Sequence, residues 1–179
     1  MMARTIATLG VLASLSACAT LSRPPVGNAD VPQPAKSVDL DRYFGRWYEL
    51  YRYDASFQKG CEAVTADYSA GKGDTIQVLN RCRRGAVDGP LKTAKGRAKV
   101  VDRETGAKLK VSFFGPFYGA YWVLDRADDY RWSIVGEPSG RYLWVLAREP
   151  NPSADVKTML RKRVEALGYD WSLVRETKQ

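Results

Sequence analysis

Lys95-Gly96-Arg97-Ala98-Lys99-Val100 and Lys108-Leu109-Lys110-Val111-Ser112-Phe113 switch chemistry at every step, with cations at 95, 97, 99, 108 and 110 and small or apolar residues at 96, 98, 100, 109, 111 and 113. A period of two belongs to a β-strand with one wet face and one face in a core. The inward set is small on the first stretch and larger on the second. Facing one another, they would leave room in the middle, which suits a hollow structure better than a filled one.

Outward from this pair, similar runs recur at regular spacing. Strands are expected over 46–53, 63–69, 75–82, 91–101, 107–113, 120–126, 131–137 and 142–148, separated by Gly, Asp, Asn and Pro clusters. Eight short strands so spaced predict an all-β sandwich or barrel. Asp39–Gly45 reads as a helical turn ended by glycine. Pro152-Ser153 caps one helix with an apolar stripe of Val156, Met159, Leu160, Val164 and Leu167, stopped by Gly168; such a stripe packs on something, here the outside of the sheet. Residues 171–175 offer a last short strand.

The chain of 179 residues carries a formal charge of +8 and no histidine. The missing histidine removes the usual serine and cysteine triads and His-based metal sites, so no catalytic residue, metal or cofactor is assigned. The cations are scattered singly and form no stripe with interleaved aromatics, which argues against nucleic acid and leaves anionic lipid as the better partner.

Residues 1–17 hold one early cation, Arg4, and an uncharged apolar run too short to span a bilayer, the layout of a secretory signal. Leu15-Ser16-Ala17-Cys18 resembles the bacterial lipobox, which implies lipidation at Cys18 and, with Ala19 following, delivery to the outer membrane. Residues 18–37, with Pro24, Pro25, Pro32 and Pro34, read as a flexible tether, and 38–179 as the folded domain. Cys61 and Cys82 remain. In an oxidising periplasm an even pair points to a disulfide, with two free thiols as the alternative.

Gly45-Arg46-Trp47-Tyr48, Asp128-Asp129-Tyr130 and Arg148 resemble the three motifs of lipocalins, with a departure at Asp128, where the family carries threonine. In an up-and-down barrel the start of the first strand, the sixth–seventh connection and the end of the eighth strand all fall at one end, so Gly45, Trp47, Asp129, Tyr130 and Arg148 would meet there, with Arg148 over the Trp47 ring. The same topology puts Cys61 and Cys82 together at the opposite end. Trp47-Tyr48-Glu49, Val64–Tyr68, Lys110–Gly119 and Tyr142–Arg148 look like strands of the bacterial, apolipoprotein D-like branch. The resemblance implies an eight-stranded antiparallel up-and-down barrel with one helix packed outside, and binding of a fatty acid or lysophospholipid in the cell envelope.

Trp47 and Arg148 mark a closed floor, so a ligand would enter at the other end. Counting by twos gives Tyr51, Val78, Ala98, Val100, Val111, Phe113, Phe117, Tyr142 and Trp144 as the candidate lining, with Ile76 and Leu109 beside them. Arg83 and Arg84 are candidate mouth cations for an anionic head. Glu49, by the same count, points inward and needs a partner. Three rivals stay open: a ligand-free structural envelope lipoprotein, a scavenger of another hydrophobic molecule such as a tetrapyrrole, and an enzyme built on a free cysteine; a homodimer is compatible with each. Thiol titration of the folded protein is expected to find neither Cys61 nor Cys82 reactive; two fast-reacting thiols would restore the cysteine enzyme.

Overall fold

The computed structural model describes residues 23–179; the signal and Cys18 lie outside them. A helical turn, α1 (Leu40–Tyr43), leads into eight strands: β1 (Gly45–Tyr53), β2 (Cys61–Ala70), β3 (Thr75–Arg84), β4 (Leu91–Val100), β5 (Lys108–Phe114), β6 (Phe117–Arg126), β7 (Trp132–Gly136) and β8 (Leu143–Ala147). Each pairs antiparallel with its neighbour in sequence, and β1 pairs with both β8 and β2, which closes the barrel. Helix α2 (Ala154–Ala166) and a short β9 (Val174–Glu176) follow.

Closure is split along β1. Its first half, Gly45–Tyr48, pairs with β2; its second half, Tyr51–Tyr53, pairs with β9. Where β1 and β2 part, the last residues fill the seam: the Thr177 amide donates to the Leu50 carbonyl at 2.9 Å, the Ala63 amide to Lys178 at 2.7 Å, and the Gln179 side chain to the carbonyls of Glu49 and Val64. Backbone groups that would otherwise be orphaned at a sheet edge are thereby paired.

Two apolar cores lie on the two faces of this wall. Inside sit Trp47, Tyr68, Ile76, Val78, Ala98, Leu109, Val123 and Leu146; outside, Leu124, Ile134, Leu143 and Val145 are covered by Leu160 and Val164 of α2. The helix starts on the Ser153 hydroxyl, which accepts from the Val156 amide, and ends at Gly168 with φ +88°, a conformation glycine adopts without penalty. Residues 23–179 thus hold the closed sheet, both cores and the Cys61–Cys82 disulfide (Cα–Cα 5.4 Å), the elements a domain needs to fold by itself.

The stretch expected as a loose tether is held down from Gly27 onward. The amides of Gly27 and Asn28 donate to the Gly140 carbonyl at 2.9 and 3.2 Å, Asp170 donates to Gly27, and the Asn28 amide group donates to Leu167. A side chain at Gly27 would strike the Tyr53 ring, so the backbone lies flat on it. Residues 28–38 then run down the wall to the Val38–Thr105 hydrogen bond at the other end. Small residues, rather than apolar periodicity, dock this segment.

The three motifs meet at the floor as expected. The Arg148 guanidinium carbon sits 3.8 Å from the Trp47 ring centroid, and its nitrogens donate to the carbonyls of Arg42, Tyr43, Phe44, Arg46 and Tyr130 at 2.8–3.3 Å. The Trp47 indole donates to Tyr43 at 2.8 Å, Gly45 turns at φ +94°, and Asp129 caps the turn by accepting from the Arg131 amide. Tyr130, at φ +62°, lies between the guanidiniums of Arg42 and Arg126 and accepts from the Asp39 amide. Replacing Arg148 with alanine strips five carbonyls and one ring face of their partner and is expected to cost about 3 kcal/mol in urea unfolding. Arg148→Lys should recover less than half, because one ammonium cannot reproduce the planar fork.

Candidate functional site

The open end is ringed by four connections: residues 54–60 with a 3-10 turn at Ser56–Gln58, 85–90, the tight Gly115-Pro116 turn, and 137–142. Inner-face identity follows from strand pairing, since partners across an antiparallel ladder share a face. Val78 pairs with Tyr68 and Gly96, Ala98 with Ile76 and Val111, Val100 with Leu109, and Trp144 with Val135 and Arg52. Val78, Ala98, Val100, Val111, Phe113 and Trp144 therefore face inward, where they were expected. Val78 and Ala98 are sealed, whereas Val100, Val111, Phe113 and Trp144 remain partly exposed although they point away from the outer surface. Ala66, Ala94 and Gly96 keep the facing wall thin; the Phe113 ring lies so close over Gly96 that a Cβ there would strike it.

Three expected positions differ. Tyr51 is on the outer face, edge-on to Trp171 at 5.1 Å beside α2. A bulge in β1 between Glu49 and Tyr51 adds one residue and reverses the alternation, so Arg52 takes the inward position. Phe117 is not in the lining either: it stands 79 % exposed on the rim with Phe114, because β5 is irregular between Val111 and Phe114 and the turn carries both rings outward. Arg83 pairs with Glu62 in register and donates to the Gly89 carbonyl, which fixes it to its own turn; Arg84 is exposed at the mouth. Tyr142 lies at the rim, stacked on Trp144 at 5.9 Å with 6° between planes and touching Phe57.

Glu49 does face inward, and its partner is Arg52. The Arg52 guanidinium is fully buried and donates to Glu49 at 2.7 Å, to Thr177 at 2.8 Å and to the Cys61 carbonyl at 3.0 Å. Glu49 also accepts from Thr177 at 2.6 Å and from the Gln58 amide at 2.5 Å. The other end of that Gln58 amide accepts the Trp144 indole proton at 3.1 Å. Gln58 thus ties the mouth turn to both the ion pair and the lining tryptophan. Nothing in the local sequence marks Arg52 or Gln58: the first needs the bulge to be known, the second the position of a loop.

Deeper, three phenols share protons: Tyr43 with Tyr121 at 3.1 Å and with Ser133 at 3.0 Å, and Tyr68 with Tyr121 at 2.9 Å. Burial pushes all three above the ordinary phenol range, most strongly at Tyr68 and Tyr121, so they are neutral hydroxyls at physiological pH. Asn80 shares the inner face with Val78, and its side-chain oxygen is buried with no donor among the described residues. The inner surface is accordingly apolar, with a neutral hydroxyl cluster below and one unmatched acceptor on the wall.

Breaking the ion pair from one side leaves a charge buried alone. Glu49→Leu is expected to cost 3–5 kcal/mol in chemical denaturation, and the double variant Glu49→Leu with Arg52→Leu considerably less. Equal losses in the two would show that the pair is not coupled.

Residues 38–179 match the family model described as a lipocalin-like domain. The chain is 37% identical over 155 residues to outer membrane lipoprotein Blc of Vibrio cholerae, covering 86% of this chain and 90% of that protein. It is 38% identical to Blc of Escherichia coli K12 (79% and 82% covered), and 31% identical to mouse apolipoprotein D (96% and 93%). Insecticyanin from the tobacco hornworm Manduca sexta superposes with a TM-score of 0.69 at 17% identity, covering 88% of this chain and 89% of that one. Together with the closed eight-stranded barrel and the Arg148–Trp47 floor, these matches place the chain in the lipocalin family.

Proposed function

We propose that this protein is an envelope lipocalin that holds a fatty acid or lysophospholipid in the upper half of its barrel and does no chemistry on it. The observation that carries this reading is the set of inward side chains, Val100, Val111, Phe113 and Trp144, that stay partly exposed inside a closed wall: solvent-reachable apolar surface within a barrel is where an alkyl chain gains most. A sixteen-carbon tail at about 0.8 kcal/mol per buried methylene has roughly 10 kcal/mol of gross drive, several of which are lost to ordering. Micromolar binding follows without any specific polar contact. The unmatched Asn80 oxygen favours a ligand that can donate one hydrogen bond, such as a lysophospholipid hydroxyl or a protonated acid.

The two Blc relatives are named outer membrane lipoproteins, which supports the same location here, with acyl chains on Cys18 as the attachment. Among the described residues no helix is long and apolar enough to cross a membrane. One acyl chain would hold marginally and two or more stably.

Titration of delipidated protein with cis-parinaric acid should saturate and be competed by palmitate and by lysophosphatidylethanolamine. Ala94→Trp, which fills the thin wall, is expected to weaken uptake at least tenfold, and Trp144→Ala three- to tenfold. Absence of saturable uptake in the unmodified protein would transfer the assignment to a ligand-free structural role.

A further inference from the structure

We propose that the open end of the barrel is a membrane-docking surface, with Phe57, Phe114 and Phe117 entering the headgroup layer of an anionic bilayer. These rings are 60 %, 82 % and 79 % exposed. They come from two separate connections at the mouth, and Val87 and Leu91 stand exposed on a third. Of the large apolar side chains that are exposed among the described residues, only Val101 is at the floor. Isolated exposed apolar residues are ordinary, but a ring of them around one opening marks an interaction surface.

Charge on the same rim selects a lipid surface. Lys59, Arg84, Lys92 and Arg97 are exposed around the rings. The acids there are largely committed: Asp54 lies 3.5 Å from Arg175 and 3.6 Å from Arg52, and Glu137 accepts from the amides of Ser139 and Arg141 within its own turn. Asp88 is exposed. Aromatic rings interleaved with cations suit an interface where tails are apolar and phosphates negative.

The path of the chain points the same way. Residues 24–28 are fastened to the mouth, through Pro24 to Arg141 and Gly27 to Gly140. Cys18 and Arg23 are five residue steps apart and so at most about 18 Å, less than the roughly 25 Å height of a tilted ten-residue strand. A lipid on Cys18 therefore brings the mouth, not the floor, to the bilayer. This last step rests on the acylation proposed above; the aromatic ring and its cations do not.

The test is flotation of span 23–179, which lacks any acyl chain, with vesicles of phosphatidylethanolamine and phosphatidylglycerol at 3:1. The protein should float with these vesicles and bind at least fivefold less to phosphatidylcholine or in 0.5 M salt. Phe114→Asp with Phe117→Asp should lose at least tenfold, the double change to leucine should retain most binding, and Val101→Asp at the floor should match the unmodified span. Failure of the unmodified span to float, retention by the aspartate pair, or an equal loss in Val101→Asp would overturn the proposal. So would sedimentation showing that the rings instead hold two copies together and that the dimer ignores vesicles. Parinarate uptake, measured without vesicles on the same preparations, keeps the two readings apart. Uptake without flotation removes docking alone, and flotation without uptake removes the carrier reading while docking stands.

Discussion

Everything in this molecule hangs on the seam in β1. A sheet of eight strands with two free edges would be a template for aggregation and could enclose nothing; it becomes a vessel only because one strand finds partners on both sides. β1 does so in two registers, with β2 below and with β9 above, while β8 runs along its other edge. The bulge between Glu49 and Tyr51 makes this arrangement workable. By adding a residue it turns Arg52 inward and Tyr51 outward, so that one strand supplies both an ionic clamp to the C-terminal residues and an apolar seat for Trp171.

The clamp itself is better understood as a device of register than of stability. A buried Arg52–Glu49 pair gains little over a well-packed apolar pair, yet it can be satisfied only when Thr177, Gln58 and the Cys61 carbonyl all arrive in place. A slip of one residue in β9 would leave a guanidinium and a carboxylate unmatched in the wall. The disulfide beside it, between Cys61 and Cys82, holds β2 to β3 at the mouth, where the β2 ladder is itself irregular between Glu62 and Thr65. The weakest part of the closure is thus the part most heavily cross-linked.

How much of this was legible depends on how many faces of each strand are wet. In β4 and β5 the outer face carries lysine and arginine, so parity can be counted, and the inward direction of Ala98, Val100, Val111 and Phe113 is legible in the sequence. In β1 both faces from Leu50 to Tyr53 are buried, one by the barrel and one by α2 and β9, and no polarity contrast is left to count. Tyr51 was misplaced for that reason, not for want of a motif. Phe117 failed differently: an aromatic at a strand end has no alternation partner beyond the turn to fix its direction. The docked segment at Gly27 and Asn28 was invisible because its fit depends on the absence of side chains. Floor motifs, by contrast, were readable because each needs an unusual residue: a glycine at positive φ, a tryptophan with a satisfied indole, an arginine able to serve five carbonyls.

The two ends of the barrel use charge in opposite ways, and the difference gives the vessel a direction. At the floor, Arg148, Arg42 and Arg126 are turned onto backbone carbonyls and aromatic faces, so their charge is spent on closing the chain upon itself. At the mouth the polar anchors, Glu49 and Arg52, are withdrawn into the wall, while bare rings stand forward. An amphiphile approaching the floor meets backbone already saturated with donors; one approaching the mouth meets surface that loses water on contact. Only the second route removes apolar surface from water, at the rim and then at the partly exposed surface around Phe113 and Trp144, so the carrier reading proposed above has its entrance at the mouth without any moving gate.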